Sequence, residues 1–247
     1  MDQIERTDTL RPDPPFAVTE DLLQGLEAVL PMWVYEIQGV QTTTPYHGID
    51  SSIPAIIFAL LLEKRPDIYS AFHMKGGWEG WFQVELALCL QKRGYTVERE
   101  VHVFKAPLEA ADLFVTSPHG ICTIIELKCE GLYQDITDVQ FAASETRPKF
   151  AARIEADTKK FGAGGERLLD NHCDTFFCCV GVSCTRDSTA AAISHRPVLN
   201  GLPWFNGLSL DRIALYAVEH ELLAPNPIYD TVYDDLVMWW SGMHQKM

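Results

Sequence analysis

The stretch Ile124-Ile125-Glu126-Leu127-Lys128-Cys129 constrains this chain more than any other. It continues an apolar run that begins at Ile121, and so reads as a strand near the centre of a sheet, over Ile121 to Lys128. Side chains alternate along a strand, so Glu126 and Lys128 share one face while Leu127 points to the other. A carboxylate or an ammonium carried into a core without a partner is strongly unfavourable. Either the strand frays into solvent at its charged end, or the fold supplies partners there.

A partner precedes it. Ala111-Asp112-Leu113-Phe114 lies in a short strand over Ala110 to Thr116, and Ser117-Pro118-His119-Gly120 is a strong turn signal between the two. In an antiparallel hairpin the start of the first strand lies beside the end of the second. Asp112 is therefore expected next to Glu126 and Lys128, with two carboxylates and a lysine at one end of the sheet. Carboxylate oxygens are what Mg²⁺ and Mn²⁺ prefer. The alternative is a purely structural cluster of ion pairs.

The surrounding segments follow a readable order. A helix is expected from Trp78 to Arg93, ended by Gly94, and then a strand over Tyr95 to Phe104 rich in β-branched residues. After the hairpin come a helix from Pro148 to Phe161 and a buried strand from Thr175 to Cys184. The order is helix, three strands, helix, strand. On the first helix Glu79, Gln83 and Gln91 lie along one stripe. Glu85 lies on the opposite side, among Phe82, Leu88 and Cys89, where the sheet is expected. On the second helix Arg153 and Lys160 flank an apolar stripe of Phe150, Ile154 and Phe161 that also carries Asp157. This helix is locally basic, so Arg153 and Lys160 are the candidate phosphate contacts, with a solvated face of internal salt bridges as the alternative.

Helix Glu85, strand Asp112, then Glu126-Leu127-Lys128, in the order α-β-β-β-α-β, resembles the PD-(D/E)xK nuclease superfamily. The likeness spans about residues 76–184, under half of the chain. Ala111 stands where the motif's proline would be. The resemblance implies an α/β, restriction-endonuclease-like core with a mixed central sheet flanked by helices. It implies that Asp112 and Glu126 hold Mg²⁺ or Mn²⁺, with Glu85 as a further ligand, directly or through water. Lys128 would orient or help deprotonate the attacking water, and the substrate would be DNA or RNA.

Around that core, residues 1–16 read as a flexible tail and residues 17–74 as a helical N-terminal extension, with helices over Thr19 to Leu30 and Ser52 to Lys64. Pro66 is expected just past the end of the second. The core occupies residues 75–184. Residues 185–247 form a C-terminal extension packing on it, with a strand near Ile213 to Val218 and a last helix over Asp230 to Met243. The apolar face of that last helix (Val232, Leu236, Trp239, Trp240, Met243) could pack on the core or serve a homodimer.

Composition sets the limits. A chain of 247 residues that is 47% hydrophobic has ample material for one core with decorations. The apolar run Ile53 to Leu62 is too short to span a bilayer, so no membrane partner is expected. No basic stretch precedes an apolar one at Met1, so no secretory signal is expected. Seven cysteines in mostly apolar surroundings read as reduced thiols of an intracellular protein, cytoplasmic or nuclear. Cys173, Cys178, Cys179 and Cys184 lack the paired spacing of a zinc site. Gly162-Ala163-Gly164-Gly165 follows a helix and lacks a P-loop lysine, and Gly181-Val182-Ser183-Cys184-Thr185 lacks the last glycine of a nucleophile elbow. The net charge of −14 opposes general affinity for nucleic acid, which must come from a local basic patch or from metal ions. It leaves two other readings open: a nuclease-like core acting on a small substrate, and a non-enzymatic acidic interaction protein.

Overall fold

The computed structural model describes residues 52–74, 77–131, 146–161, 167–169, 175–185, 188–189, 198–199, 202–203, 206–209, 236–240 and 244–245. The expected tail, the helix over Thr19 to Leu30 and the strand near Ile213 lie outside these residues. Helix α1 spans Ser52–Phe72 and α2 spans Glu79–Lys92. Strands β1 (Thr96–Val101), β2 (Ala111–Thr116) and β3 (Cys122–Cys129) follow, then α3 (Thr146–Phe161) and β4 (Phe176–Ser183). The described part ends with short strands: β5 (Val198–Leu199), β6 (Leu202–Pro203), β7 (Asn206–Ser209), β8 (Val237–Trp240) and β9 (His244–Gln245).

The sheet runs in the order β1-β2-β3-β4-β8-β7, with β9 also paired to β4 and with β5 and β6 forming a separate pair. β1, β2 and β3 are antiparallel neighbours. β3 and β4 are parallel, as strands joined through a helix can be, and β8 returns antiparallel to β4. The turn between β2 and β3 is organised by Ser117. Its hydroxyl accepts from the N–H groups of His119 and Ile121 at 3.3 and 3.0 Å.

Each face of the sheet has its own apolar layer. On one, Leu113, Val115, Ile125, Leu127 and Val180 pack with α1 and α2, through residues such as Ile57, Leu61, Phe82 and Leu86. On the other, Ile124, Phe177, Cys179 and Trp239 pack with Phe150, Ile154 and Phe161 of α3. Helix α3 comes close because β4 has a glycine beneath it. A Cβ on Gly181 would stand 2.5 Å from Ile154 Cδ1. Gly181 is paired in register with Lys128 of β3, so this contact sets α3 beside the charged end of that strand.

That strand end is also clamped. The buried Glu130 carboxylate accepts from the N–H groups of Cys184 and Thr185 at 2.6 and 3.1 Å, and from the hydroxyls of Thr185 and Ser188 at 2.7 and 2.6 Å. Its carbonyl accepts from Trp78 Nε1 at 2.6 Å, just before α2. One residue thus ties together the end of β3, the segment after β4 and the start of α2.

Two expectations are corrected. α1 does not stop before Pro66 but carries it inside and runs on to Phe72. Ile68 and Phe72 beyond it are buried, and their packing offsets the N–H that proline cannot supply. Within the last helix expected over Asp230 to Met243, the described residues Val237–Trp240 are strand β8, and strand β9 lies beyond it. Leu236 and Met238 belong to one apolar layer and Val237 and Trp239 to the other, so consecutive residues are all buried. A short apolar run buried on both faces has no period that distinguishes helix from strand. Leu236 and Trp239 of the apolar face considered above are buried within the chain, while Val232 and Met243 lie outside the described residues. Among the described residues no helix is long and apolar enough to cross a membrane.

Candidate functional site at the end of strand β3

The ladder between β2 and β3 ends at Leu113 opposite Ile125. On the β2 side, the N–H groups of Leu127 and Cys129 therefore lack a strand partner, and carboxylates take both. Asp112 Oδ2 accepts from Leu127 N–H at 2.6 Å. Glu79 Oε2, from the first turn of α2, accepts from Cys129 N–H at 3.0 Å. The other oxygen of Asp112 accepts from Gln83 Nε2 at 2.8 Å. Arg99 Nη2 donates to Gln83 Oε1 at 3.1 Å, which fixes which way that amide points.

On the α3 face the charges alternate along a chain. Arg153 lies 3.2 Å from Glu79, and Glu79 Oε1 is 2.9 Å from Lys128 Nζ. Lys128 lies 3.2 Å from Asp157 Oδ2, an ion pair without hydrogen-bond alignment. Asp157 Oδ1 is 2.9 Å from Lys160 Nζ, which reaches Glu126 Oε2 at 2.7 Å. The chain ends on Glu126, whose side chain is 0% exposed and whose Oε1 has no hydrogen-bond partner. Asp112, by contrast, has no cation within ion-pairing distance among the described residues, and both of its oxygens accept from neutral donors. The chain of charges thus stops at Glu126, whose Oε1 is unpartnered and whose carboxyl neighbours that of Asp112.

The surroundings shift these groups in consistent directions. Burial pushes the Asp112 carboxyl up to about 6, against the bond from Leu127 N–H and the charge of Lys128. Burial, and then the charges of Asp112 and Asp157, hold the Glu126 carboxyl well above the usual carboxylate range. Desolvation alone would lower Lys128, but the charges of Asp157 and Glu79 outweigh it, and the amine is held more firmly as an ammonium than usual. Lys160 is raised likewise, desolvation being overcome by Glu126 and Asp157. Burial pushes the thiols of Cys129, Cys178 and Cys179 up, which keeps them protonated and unsuited to metal binding.

The structure thus brings together Asp112, Glu126 and Lys128, and adds Arg153 and Lys160 to them. It does not bring Glu85. That carboxylate lies 3.0 Å from Lys64 of α1, away from the cluster. The buried stripe of α2 is Phe82, Gln83, Leu86 and Leu90, while Leu88 is 49% exposed. The helix is rotated relative to the expected stripe, and Glu79 and Gln83 face the site instead. Arg153 and Lys160, expected beside an apolar stripe as phosphate contacts, are both engaged with carboxylates. Three site residues were not among those expected: Glu79, Gln83 and Asp157. The first two were visible as a polar stripe at i, i+4, and Asp157 as an acid on an apolar stripe.

Among the described residues, no three His, Cys, Asp or Glu side chains gather closely enough to hold a metal ion as they stand. Lysine ammonium groups stand between the carboxylates. The oxygen donors suit a hard cation, and the unpartnered Glu126 Oε1 beside Asp112 fits one. Protein-family models, curated proteins and solved structures were compared with the chain, and none matches it.

Proposed function

We propose that the chain is a divalent-metal-dependent phosphodiester hydrolase acting on DNA or RNA, built on a restriction-endonuclease-like core. The observation that carries this reading is the buried, unpartnered oxygen of Glu126 beside Asp112, at the carboxyl end of a parallel strand that also presents Lys128. The carboxyl ends of strands are where open α/β sheets place their ligands. The order α2-β1-β2-β3-α3-β4, with β3 and β4 parallel, supports the same reading.

Asp112 and Glu126 would hold the ion, and Glu79, not Glu85, is the helix acid nearest to them in role. Bound there, Mg²⁺ or Mn²⁺ would supply a water nucleophile at neutral pH and neutralise charge on the phosphoryl oxygens. Gln83 and Leu127 N–H orient Asp112 so that its position does not depend on the ion. Lys128, held as an ammonium by Glu79 and Asp157, serves as a fixed positive charge toward the phosphoryl group and not as the base. Hydrolysis would join the water's oxygen to phosphorus and release the ester oxygen, which would take up the proton that the water gives up.

The net charge of −14, together with site cations that are all engaged with carboxylates, favours a second reading in which the substrate is a short or small phosphodiester. One experiment tests both. Cleavage of labelled DNA, RNA and a dinucleotide is measured with and without Mg²⁺ or Mn²⁺, in wild type, Asp112→Ala and Lys128→Ala. Metal-dependent cleavage lost in both variants is expected, with the substrate series separating the two readings. Cleavage that persists unchanged in both variants refutes the site.

A further inference from the structure

We propose that the Lys160 ammonium is an internal counter-ion which a divalent cation must displace from Glu126, and that the displaced lysine becomes a phosphate contact at the mouth of the site. This rests on the metal reading above. Lys160 Nζ is 2.7 Å from Glu126 Oε2 and 2.9 Å from Asp157 Oδ1, so it neutralises one acid of the expected ligand pair in the metal-free protein.

Glu126 has no exposed side-chain surface and would otherwise be a buried anion with no cation. An ion bound through Glu126 Oε1 and Asp112 would stand on the same carboxylate as the ammonium. Two cations so close repel strongly in a poorly solvated site. Of the two lysines in the cluster, Lys160 is the one able to leave. Lys128 is carried on the clamped end of β3 and lies between Glu79 and Asp157, with 14% of its side chain exposed. Lys160 is in the last turn of α3, has 25% exposed, and keeps Asp157 three residues away on its own helix as a tether. Its release turns outward one positive charge that the metal-free protein holds inward. A cation that is consumed by an acid until metal arrives also reconciles an acidic chain with an anionic substrate.

The test is calorimetric titration of Mn²⁺ into the full chain, as wild type, Lys160→Met and Lys160→Arg. Removing the competing charge should tighten Mn²⁺ binding about tenfold in Lys160→Met, while Lys160→Arg stays within about threefold of wild type. Wild type that binds while Lys160→Met binds no tighter overturns this proposal alone. Absence of binding in all three overturns it together with the metal reading. Should Lys160→Met fail to fold, amine acetylation of the wild-type chain replaces it. Mn²⁺ should raise labelling of Lys160 several-fold and leave Lys64, paired with Glu85 away from the site, unchanged. Equal labelling of Lys160 with and without Mn²⁺ overturns the proposal.

Discussion

Asp112→Asn should make the metal-free protein more stable at neutral pH while abolishing the metal-dependent cleavage proposed above. The carboxyl releases its proton near 3.8 in ordinary surroundings and at about 6 in the folded chain. Between these values the folded state binds more protons than the unfolded one, so stability falls as pH rises, and above about 6 the full penalty is in place. At about 1.4 kcal/mol for each tenfold change in proton affinity, the penalty is ~3 kcal/mol. Asparagine keeps the shape and can still accept from Leu127 N–H. Its amide, however, meets the Gln83 donor that Arg99 holds in place, which returns ~1 kcal/mol. Relief of the repulsion on Glu126 acts in the stabilising direction. A net gain of ~2 kcal/mol corresponds to a rise in Tm of about 4–8 °C for a chain of this size. The assay is urea and thermal unfolding in a chelator, from about pH 4.5 to about pH 8. The variant should be no more stable than wild type at the acid end and clearly more stable from about pH 6.5 upward. Saturating Mg²⁺ should then narrow the gap by stabilising wild type alone. A stability difference that is flat across pH, or a variant weaker than wild type at neutral pH, would show that burial of Asp112 is not held against the fold, and the electrostatic reasoning would fail.

Four further outcomes separate the site from its scaffold. Glu79→Gln should lose ~2–3 kcal/mol in unfolding titrations and most of the cleavage rate, because it leaves Lys128 and Arg153 without their shared acid. Glu85→Gln, which touches a partly exposed pair with Lys64, should change stability by less than ~1 kcal/mol and leave cleavage intact. Gly181→Val should push α3 off β4, costing ~1–3 kcal/mol by overpacking and lowering the turnover rate while Mn²⁺ affinity measured by calorimetry holds. Glu130→Gln should lose ~2–4 kcal/mol from a carboxylate that accepts four donors, with Mn²⁺ affinity of the folded protein unchanged.

The element order from α2 to β4 was legible because each segment carries its own punctuation: Gly94 after the helix, Ser117 to Gly120 at the turn, and β-branched residues in between. The meeting of Asp112 with Glu126 and Lys128 followed from hairpin geometry alone. What could not be read was rotation about the α2 axis. Phe82 and Leu88 flank Glu85 symmetrically in sequence, but only Phe82 is buried. Which of them faces inward depends on α1, whose Lys64 takes the Glu85 carboxylate and turns that edge of the helix away from the sheet end. Asp157 posed a similar difficulty. An acid between Arg153 and Lys160 reads as a local helix pair, and its reach to Lys128 depends on how closely α3 sits over Gly181. At the C-terminal end, Leu236 to Trp239 lost its helix because strands pair with both of its edges and an apolar layer covers each of its faces.

The Glu130 clamp has a mechanical consequence. Lys128 stands two residues before a side chain fastened by four donors, and the start of α2 with Glu79 is fastened to the same point through Trp78. That half of the site is rigid by construction. The other half, Arg153, Asp157 and Lys160, rides on a helix seated by van der Waals contact over one glycine. Under the proposed function, a substrate that fits imperfectly would be accommodated by small excursions of α3, with the acids on β2 and β3 as the stationary reference for its phosphorus.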